Sequence, residues 1–350
     1  MDHKGENDPG DTMTQTAQAR LPMAGPQATR LFEDMARAVN LPAIRIGEGL
    51  RLPFGDSLIT VVPQPDETLI DLRAETPAAL QSLRDFLAEQ AAQGAFSLAW
   101  DAAPSGAHPA NFALGRVCEM RRLSPSYRRL IVEGPDLGRF AGGGHHLRLL
   151  FGPEGAGWPR LDVQGVTQWP GGLTAWHRPV YTIRRILHGT GQAARLEIDI
   201  FLHAGGRTTG WTERVTPGTI LGLTGPGGAG APSAGWRGLV GDETALPVIA
   251  RILAEAPDDT RGSATLFVPE RGDIRPLAHP AGLVVTWVLR GGQTGPLDAL
   301  RALAPPPDDG HVFFAAERTE ATEARLWLTS QGFDRSSFTA AGYWTKETIC

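Results

Sequence analysis

Cysteine is almost missing from this chain. Only Cys118 and Cys350 occur among 350 residues, too few for a disulfide framework, a zinc knuckle or a four-thiolate iron–sulfur cluster. Any redox chemistry therefore has to be carried by an organic cofactor. No apolar run reaches the roughly 18 residues that a membrane-spanning helix needs. The opening MDHKGENDPGDTMTQTAQAR lacks the apolar stretch of a secretory signal, so the expectation is a cytoplasmic protein without membrane insertion. Neither sign of charge dominates: 33 basic against 38 acidic residues give a net charge of −5. That balance argues against whole-surface affinity for nucleic acid or anionic membrane and leaves room for a local basic pocket. No internal repeat is present. Apolar residues at 41% and charged residues at 20% are ordinary globular usage, and the length suits two or three domains.

The texture of the sequence changes three times. Residues 1–27 read as a flexible tail. Leu31, Met35, Ala36 and Val39 share a helical face over 28–39, and strand-like runs follow at 49–54, 58–63 and 68–73. Thr76 offers an N-cap for a helix to about Gln90, with Leu80, Leu83 and Leu87 on one side. This predicts a small α+β module over 28–101, followed by a linker, DAAPSGAHPAN, at 101–111. From 112 to 232, short strands divided by Gly/Pro turns predict an antiparallel β-barrel. From 233 to 350, RGLVG, ATLFV, LVVTWVL and HVFFAA alternate with helical segments, the pattern of a doubly wound parallel α/β sheet.

Three segments carry candidate chemistry. WHRPVYTIRR, 176–185, alternates like a strand, with Val180, Thr182 and Arg184 on one face and Tyr181 and Ile183 on the other. An aromatic ring, a hydroxyl and several cations suit a flavin, which needs a stacking face, a hydrogen-bonding edge and a partner for its pyrophosphate. The segment also reads as a half-exposed strand with surface arginines. FLHAGGRTTGW, 201–211, ends a strand in glycines and threonines, where amides can face phosphate oxygens, or where an ordinary hairpin loop sits. GLVGDETALPVIARIL, 238–253, runs from a strand into a helix with Pro247 in its first turn, so that free amides can meet a dinucleotide pyrophosphate, although G-x-G-x-x-G is absent. After the second strand of that domain comes VPERGDIR, where Glu270 suits a ribose 2′-hydroxyl and Arg271 or Arg275 a 2′-phosphate. No metal-ligand cluster is evident, and His145-His146 reads as a strand-end pair.

In order and wording, RVCEMRRLSPSYRRLIVEGPDL, PVYTIRR, LEIDIFLH, TPGTILGLTGPGG, GDETALPVIARIL and GYW resemble the siderophore-interacting protein family, FAD-dependent ferric-siderophore reductases of the ferredoxin-reductase-like superfamily. The resemblance covers roughly 112–350 and implies an FAD-binding barrel, an NAD(P)H-binding α/β domain and a cytoplasmic, monomeric enzyme that releases Fe(II) from a ferric siderophore. A siderophore carrier without turnover and a general flavin or ferredoxin reductase are the alternatives. The implied FAD residues are Tyr181 at the ring, Thr182 at its edge, Arg184, and Gly205, Gly206, Arg207, Thr208 and Thr209 at the phosphates. Asp242, Glu243, Thr244, Ala245, Leu246 and Pro247, with Glu270 and Arg271, would meet NADH or NADPH. The family places an arginine two residues before the tyrosine; here that position is Pro179, and Arg178 is the expected replacement. Lys346, Arg325 and Arg335 are the expected cations for an anionic ferric siderophore. The module at 28–101 resembles a domain of unknown function sometimes fused ahead of this family.

Overall fold

The computed structural model describes residues 15–39, 41–55, 57–94, 96–228, 230–231, 233–305 and 309–346. The chain divides into two compact units, the first Met1–Leu114, Arg139–Val180 and Leu221–Ala229, the second Gly115–Gly138, Tyr181–Ile220 and Gly230–Cys350.

The N-terminal module consists of β1 (Gln15–Leu21), α1 (Gly25–Ala38), β2 (Ile44–Ile46), β3 (Gly49–Phe54), β4 (Ser57–Pro63), β5 (Thr68–Ala74), α2 (Pro77–Gly94) and β6 (Ala99–Trp100). Its six strands form one sheet in the order β2-β3-β4-β5-β1-β6. Alternation places Leu50, Leu52, Ile59, Val61, Ile70 and Leu72 in a core with Phe32 of α1 and Leu83 and Leu87 of α2. Thr76 does cap α2, its hydroxyl accepting from the Ala79 amide at 3.2 Å. The expected tail needs correcting. Residues 1–14 lie outside the described residues, but β1 pairs along its length with β5, from Gln15 opposite Ala74 to Leu21 opposite Thr68. Its inward positions include Ala17 and Ala19, too small to produce a strand signal in the sequence, and the backbone ladder and neighbouring strands hold it instead. Helix α1 starts at Gly25, three residues earlier than expected, with a proline in its first turn.

Next come β7 (Phe112–Ser124), β8 (Tyr127–Gly134), β9 (His146–Leu150), the small hairpin β10 (Arg160–Leu161) and β11 (Thr167–Gln168), β12 (Val180–Thr182), β13 (Arg185–His188), β14 (Ala194–Phe201), α3 (Arg207–Thr212) and β15 (Ile220–Gly227). Seven of these strands form a sheet in the order β12-β9-β15-β7-β8-β14-β13. The single strand expected across 179–184 is two strands, broken at Ile183–Arg184, and these two lie at opposite edges of the sheet. Three Cα steps from Thr182 to Arg185 reach at most about 11 Å, so the sheet has to curl until its edges almost meet. The result is a half-barrel.

The remainder is β16 (Trp236–Gly241), α4 (Leu246–Ala254), β17 (Arg261–Val268), β18 (Leu283–Leu289), α5 (Pro296–Arg301), β19 (Gly310–Glu317), α6 (Arg318–Ser330) and β20 (Phe338–Trp344). All strands are parallel, in the order β18-β17-β16-β19-β20. Successive residues serve opposite faces, as buried parallel strands require. Leu239, Leu266 and Phe313 face α4, while Val240, Phe267 and Phe314 join Leu300 and Leu328 of α5 and α6. The fifth strand, β20, is not evident in the sequence, because FTAAGYW is rich in small residues. No helix among the described residues is long and apolar enough to cross a membrane.

Candidate functional site

Tyr181 and Thr208 are 27 positions apart in the chain, yet their side chains are hydrogen-bonded. Burial pushes the Tyr181 phenol up, and the Thr208 contact opposes that shift. The candidate ring residue and the glycine-rich loop are thus joined in the second unit. Gly205 holds φ at +74 with nothing within 4 Å of where a Cβ would stand, a backbone that glycine adopts without strain. A Cβ on Gly206 would crowd the His203 ring at 2.7 Å and Thr209 Oγ1 at 2.9 Å. Thr209 Oγ1 accepts from the His203 amide at 3.2 Å, and the first amide bonded within α3 is that of Gly210, to Gly206. The amides of Arg207, Thr208 and Thr209 precede that bond, and Arg207 is exposed.

Thr182 is 4% exposed, and its hydroxyl makes no hydrogen bond among the described residues. Arg184 is similar, with a guanidinium that bonds to nothing described while its amide donates to the Glu197 carbonyl at 2.8 Å. Burial pulls Arg184 below the usual range, Asp199 opposes this, and the Arg129 and Arg275 charges add to it. The surrounding network was not legible in the sequence. Arg129 on β8 stands directly opposite Asp199 on β14, meeting it at 2.7 and 3.0 Å and Glu197 at 2.8 Å. Arg275 reaches the same Asp199 at 3.3 Å and lies over the Tyr127 ring, 5.2 Å from its centre. Its other terminal nitrogen, Nη1, is buried without a partner. Arg129, Arg184 and Arg275 face Asp199 and Glu197, and Arg185 approaches Glu197 at 3.9 Å, leaving a cationic excess beside the strand that carries Tyr181. An unpartnered hydroxyl, an excess of buried positive charge and an open glycine turn fit a ligand with both an aromatic ring system and phosphates. The only sequence signal was a pair of acids two positions apart, Glu197 and Asp199, inside an otherwise apolar strand.

The first unit holds Arg178, and there its guanidinium meets Glu89 of α2 at 2.8 Å and stacks on Trp169 at 4.8 Å.

At the carboxyl ends of the parallel strands, β16 and β19 flank the point where the strand order reverses, the usual ligand crevice of such sheets. Asp242, fully buried, organises the turn there. It accepts from the Thr244 amide at 2.9 Å and hydroxyl at 2.6 Å, from the Ala245 amide at 3.3 Å, and from the Trp344 indole at 2.7 Å. Asp242 is therefore a scaffold for the turn, and it ties β20 to β16. Burial, then the Asp242 charge, push the Tyr343 phenol up. Glu243 receives the Tyr127 hydroxyl on its carbonyl at 2.7 Å. Its carboxyl, 3.1 Å from Arg290, is raised by burial and by Asp242. Ala245, Leu246 and Pro247 are buried at the start of α4. Glu270 is engaged in a capping box with Asp273, while Arg271 is exposed. Arg275, weighed for a 2′-phosphate, is committed to Asp199.

The three expected substrate cations do not converge. Arg325 donates to the Ala340 carbonyl at 2.9 Å, and Arg335 lies in the turn leading into the amino end of β20. Lys346 lies beyond the carboxyl end, exposed, its amide bonded to Glu317 at 3.2 Å. A strand of this length separates the two groups by about 20 Å. Lys346 alone remains beside the crevice.

Residues 116–230 match the siderophore-interacting FAD-binding domain and residues 234–347 the siderophore-interacting protein family. This chain belongs to that family. Among its relatives, the ferric vibriobactin reductase ViuB of Vibrio cholerae is 28% identical over 240 residues, covering 64% of this chain and 86% of the relative. The NADPH-dependent ferric-chelate reductase of Escherichia coli is 26% identical over 241 residues, covering 65% and 91%. Among solved structures, a siderophore utilization protein from T. fusca superposes with a TM-score of 0.59 at 26% identity, covering 70% of this chain and 97% of that one. The siderophore-interacting protein SipS from Aeromonas hydrophila gives 0.57 at 26%, covering 68% and 93%. Both family matches begin beyond the N-terminal module. A six-stranded sheet and two helices thus precede the segment matched by the FAD-binding domain.

Proposed function

We propose that this protein is an NAD(P)H-dependent, FAD-containing ferric-siderophore reductase. The observation that carries the reading is the Tyr181–Thr208 hydrogen bond, which joins a stacking residue to a phosphate-type loop inside the segment matched by the FAD-binding domain. The names of the Vibrio and Escherichia relatives support the substrate class. Residues 112–232 would form the FAD domain and 233–350 the NAD(P)H domain.

When bound, FAD supplies the conversion of a two-electron hydride donor into single electrons for Fe(III), chemistry that no side chain of this protein provides. The chain itself binds and orients. Tyr181 offers a ring face, Thr182 a hydroxyl for the ring edge, and Gly205, Gly206, Arg207, Thr208 and Thr209 the amides and charge for phosphates. Arg184 stands at the cationic end of the Asp199 network. The Asp242–Pro247 turn would receive the nicotinamide nucleotide, with Asp242 fixing the turn and Thr244 at its rim. Arg271, exposed where Glu270 is already used in capping, favours a 2′-phosphate and hence NADPH. Lys346 would draw in an anionic ferric chelate, whose weakened oxygen chelation after reduction releases Fe(II).

The test is anaerobic mixing of FAD-loaded protein first with NADPH or NADH and then with a ferric siderophore. Bleaching of the flavin, followed by return of its colour on adding the chelate, is the expected result. A protein that cannot be loaded with FAD, or bleached flavin that the chelate leaves unchanged, would overturn the proposal.

A further inference from the structure

The N-terminal module lies outside both family matches, yet one face of α2 is bonded to the half-barrel residues of the first unit. Gln81, Asp85 and Glu89 follow one another at four-residue steps and so line a single helical stripe. Gln81 donates to the Gly165 carbonyl at 3.1 Å. Asp85 accepts from Asn111 at 3.0 Å and from Thr167 at 2.7 Å. Glu89 closes the stripe on Arg178 at 2.8 Å. Gly165 holds φ at +67, and any side chain on it would collide with Arg84 of the same helix, so the turn of the β10–β11 hairpin is shaped to take α2. The expected linker is laced down as well, with Ala103 and Gly106 donating to Val163 and Leu161 at 3.0 and 2.7 Å.

We infer that the module is a positioning element for the flavin site, acting through the Glu89–Arg178 pair on the strand that carries Tyr181 and Thr182. Arg178 lies two residues before β12. Its side chain is only 17% exposed and that of Glu89 30%, so the pair is largely shielded from solvent. The Arg178 carbonyl accepts from Arg148 at 3.0 Å, and its guanidinium rests on Trp169, which packs edge-on against Trp176 at 5.3 Å. Residues 169–178 are therefore held by their rings and at their end by an acid from the module. Pro179 occupies the position where the family carries its arginine. The arginine one step back is committed to Glu89, so its charge is neutralised by the protein and is not presented to a cofactor phosphate.

This inference rests on the flavoprotein reading, and the sign of one measurement separates it from a direct role of Arg178. FAD titrations of the apoprotein, followed by flavin fluorescence, would compare wild type with Glu89→Gln, Arg178→Met, the double variant and the exchange Glu89→Arg with Arg178→Glu. A positioning role requires Glu89→Gln to weaken FAD binding about threefold to tenfold. Arg178→Met should do the same, the double variant should be no worse than the poorer single one, and the exchange should recover at least part of the loss. If Arg178 contacts a phosphate instead, Glu89→Gln would leave FAD binding unchanged or tighten it while Arg178→Met weakens it. Additive losses, or a lowered apoprotein Tm with no change in FAD affinity, would equally overturn the inference. Failure of the wild type to bind FAD would remove both the flavoprotein reading and this one.

Discussion

Asp85 in the first unit and Asp273 in the second are both covered carboxylates that tie separate parts of the chain together, and their acidities move in opposite directions. Burial raises Asp85, three neutral side-chain donors (Thr167, Gln81 and Asn111) oppose it, and the Glu89 charge raises it further. Burial acts in the same sense on Asp273, but hydrogen bonds from Ser124 and Ser126 and from the Glu270 amide outweigh it and leave it below the ordinary range. Those contacts measure 2.7 Å to the Ser124 hydroxyl, 2.9 Å to the Ser126 amide and 3.3 Å to the Glu270 amide. Backbone amides are fixed by the fold and cost no side-chain entropy to aim, whereas Gln, Asn and Thr have to be ordered. The N-terminal module is thus attached through an acid that its surroundings only partly solvate. The α/β part is attached through an acid, Asp273, whose hydrogen bonds outweigh its burial.

The largest effect should come from removing an acid whose partners are themselves charged. Asp199→Ala leaves Arg129, Arg275 and Arg184 with Glu197 alone, and a loss of about 3–5 kcal/mol in urea unfolding is expected. Asp85→Ala leaves neutral donors only and should cost less, about 1–3 kcal/mol. Equal losses would erase the distinction between the two junctions.

The pH dependence should separate them further. Asp273 is more acidic in the folded than in the unfolded chain, so its contribution is complete above about pH 4 and disappears as pH falls through its lower folded value. Asp85 is less acidic when folded, so its penalty is present at neutral pH and is relieved as pH falls through its raised value. In urea unfolding followed against pH, Asp273→Asn should therefore flatten the loss of stability below about pH 4. Asp85→Asn should instead remove a gain on the way down to it. The opposite assignment would show that the hydrogen bonds from Ser124, Ser126 and Glu270 do not outweigh burial at Asp273.

Smaller still is Trp344→Phe, which removes the 2.7 Å indole donor from Asp242 but keeps an aromatic ring. A loss of about 1–2 kcal/mol in stability is expected, together with slower flavin bleaching by NAD(P)H and an unchanged bound-flavin spectrum. Release of flavin would place the Asp242 turn in the FAD site. The smallest structural effect belongs to Lys346→Glu, because this lysine is exposed. Stability should be unaltered, and the KM for an anionic ferric siderophore should rise at low salt and recover as screening sets in over about 10 Å at 0.1 M.

What could be read from the sequence followed the range of its signals. Alternation and helical spacing are local, and they located most barrel strands, four of the five parallel strands and the leucine face of α2. Strands β1 and β20 escaped because alanine and glycine replace the branched residues that make strands visible. Tyr181, Thr182 and the 205–209 loop stand out as candidates because each lies in a short distinctive stretch. The partners that complete them do not. Arg129 and Asp199 are 70 positions apart, Asp199 and Arg275 are 76 apart, and Glu89 and Arg178 are 89 apart. Only folding shows which charges neutralise one another. The grouping of Lys346 with Arg325 and Arg335 failed for a related reason, since proximity in sequence along a strand becomes distance in space.

The two residues between β12 and β13, Ile183 and Arg184, also act as a ruler. The other connections in the half-barrel are turns or longer excursions, such as the stretch between β9 and β12. This one joins opposite edges of a curled sheet with almost no slack. One inserted residue would reverse which way Thr182 or Arg185 faces, and one deletion would pull the edges past contact. Relatives of any length should therefore keep this spacing fixed, and a library of insertions along the chain should find it among the positions that tolerate none.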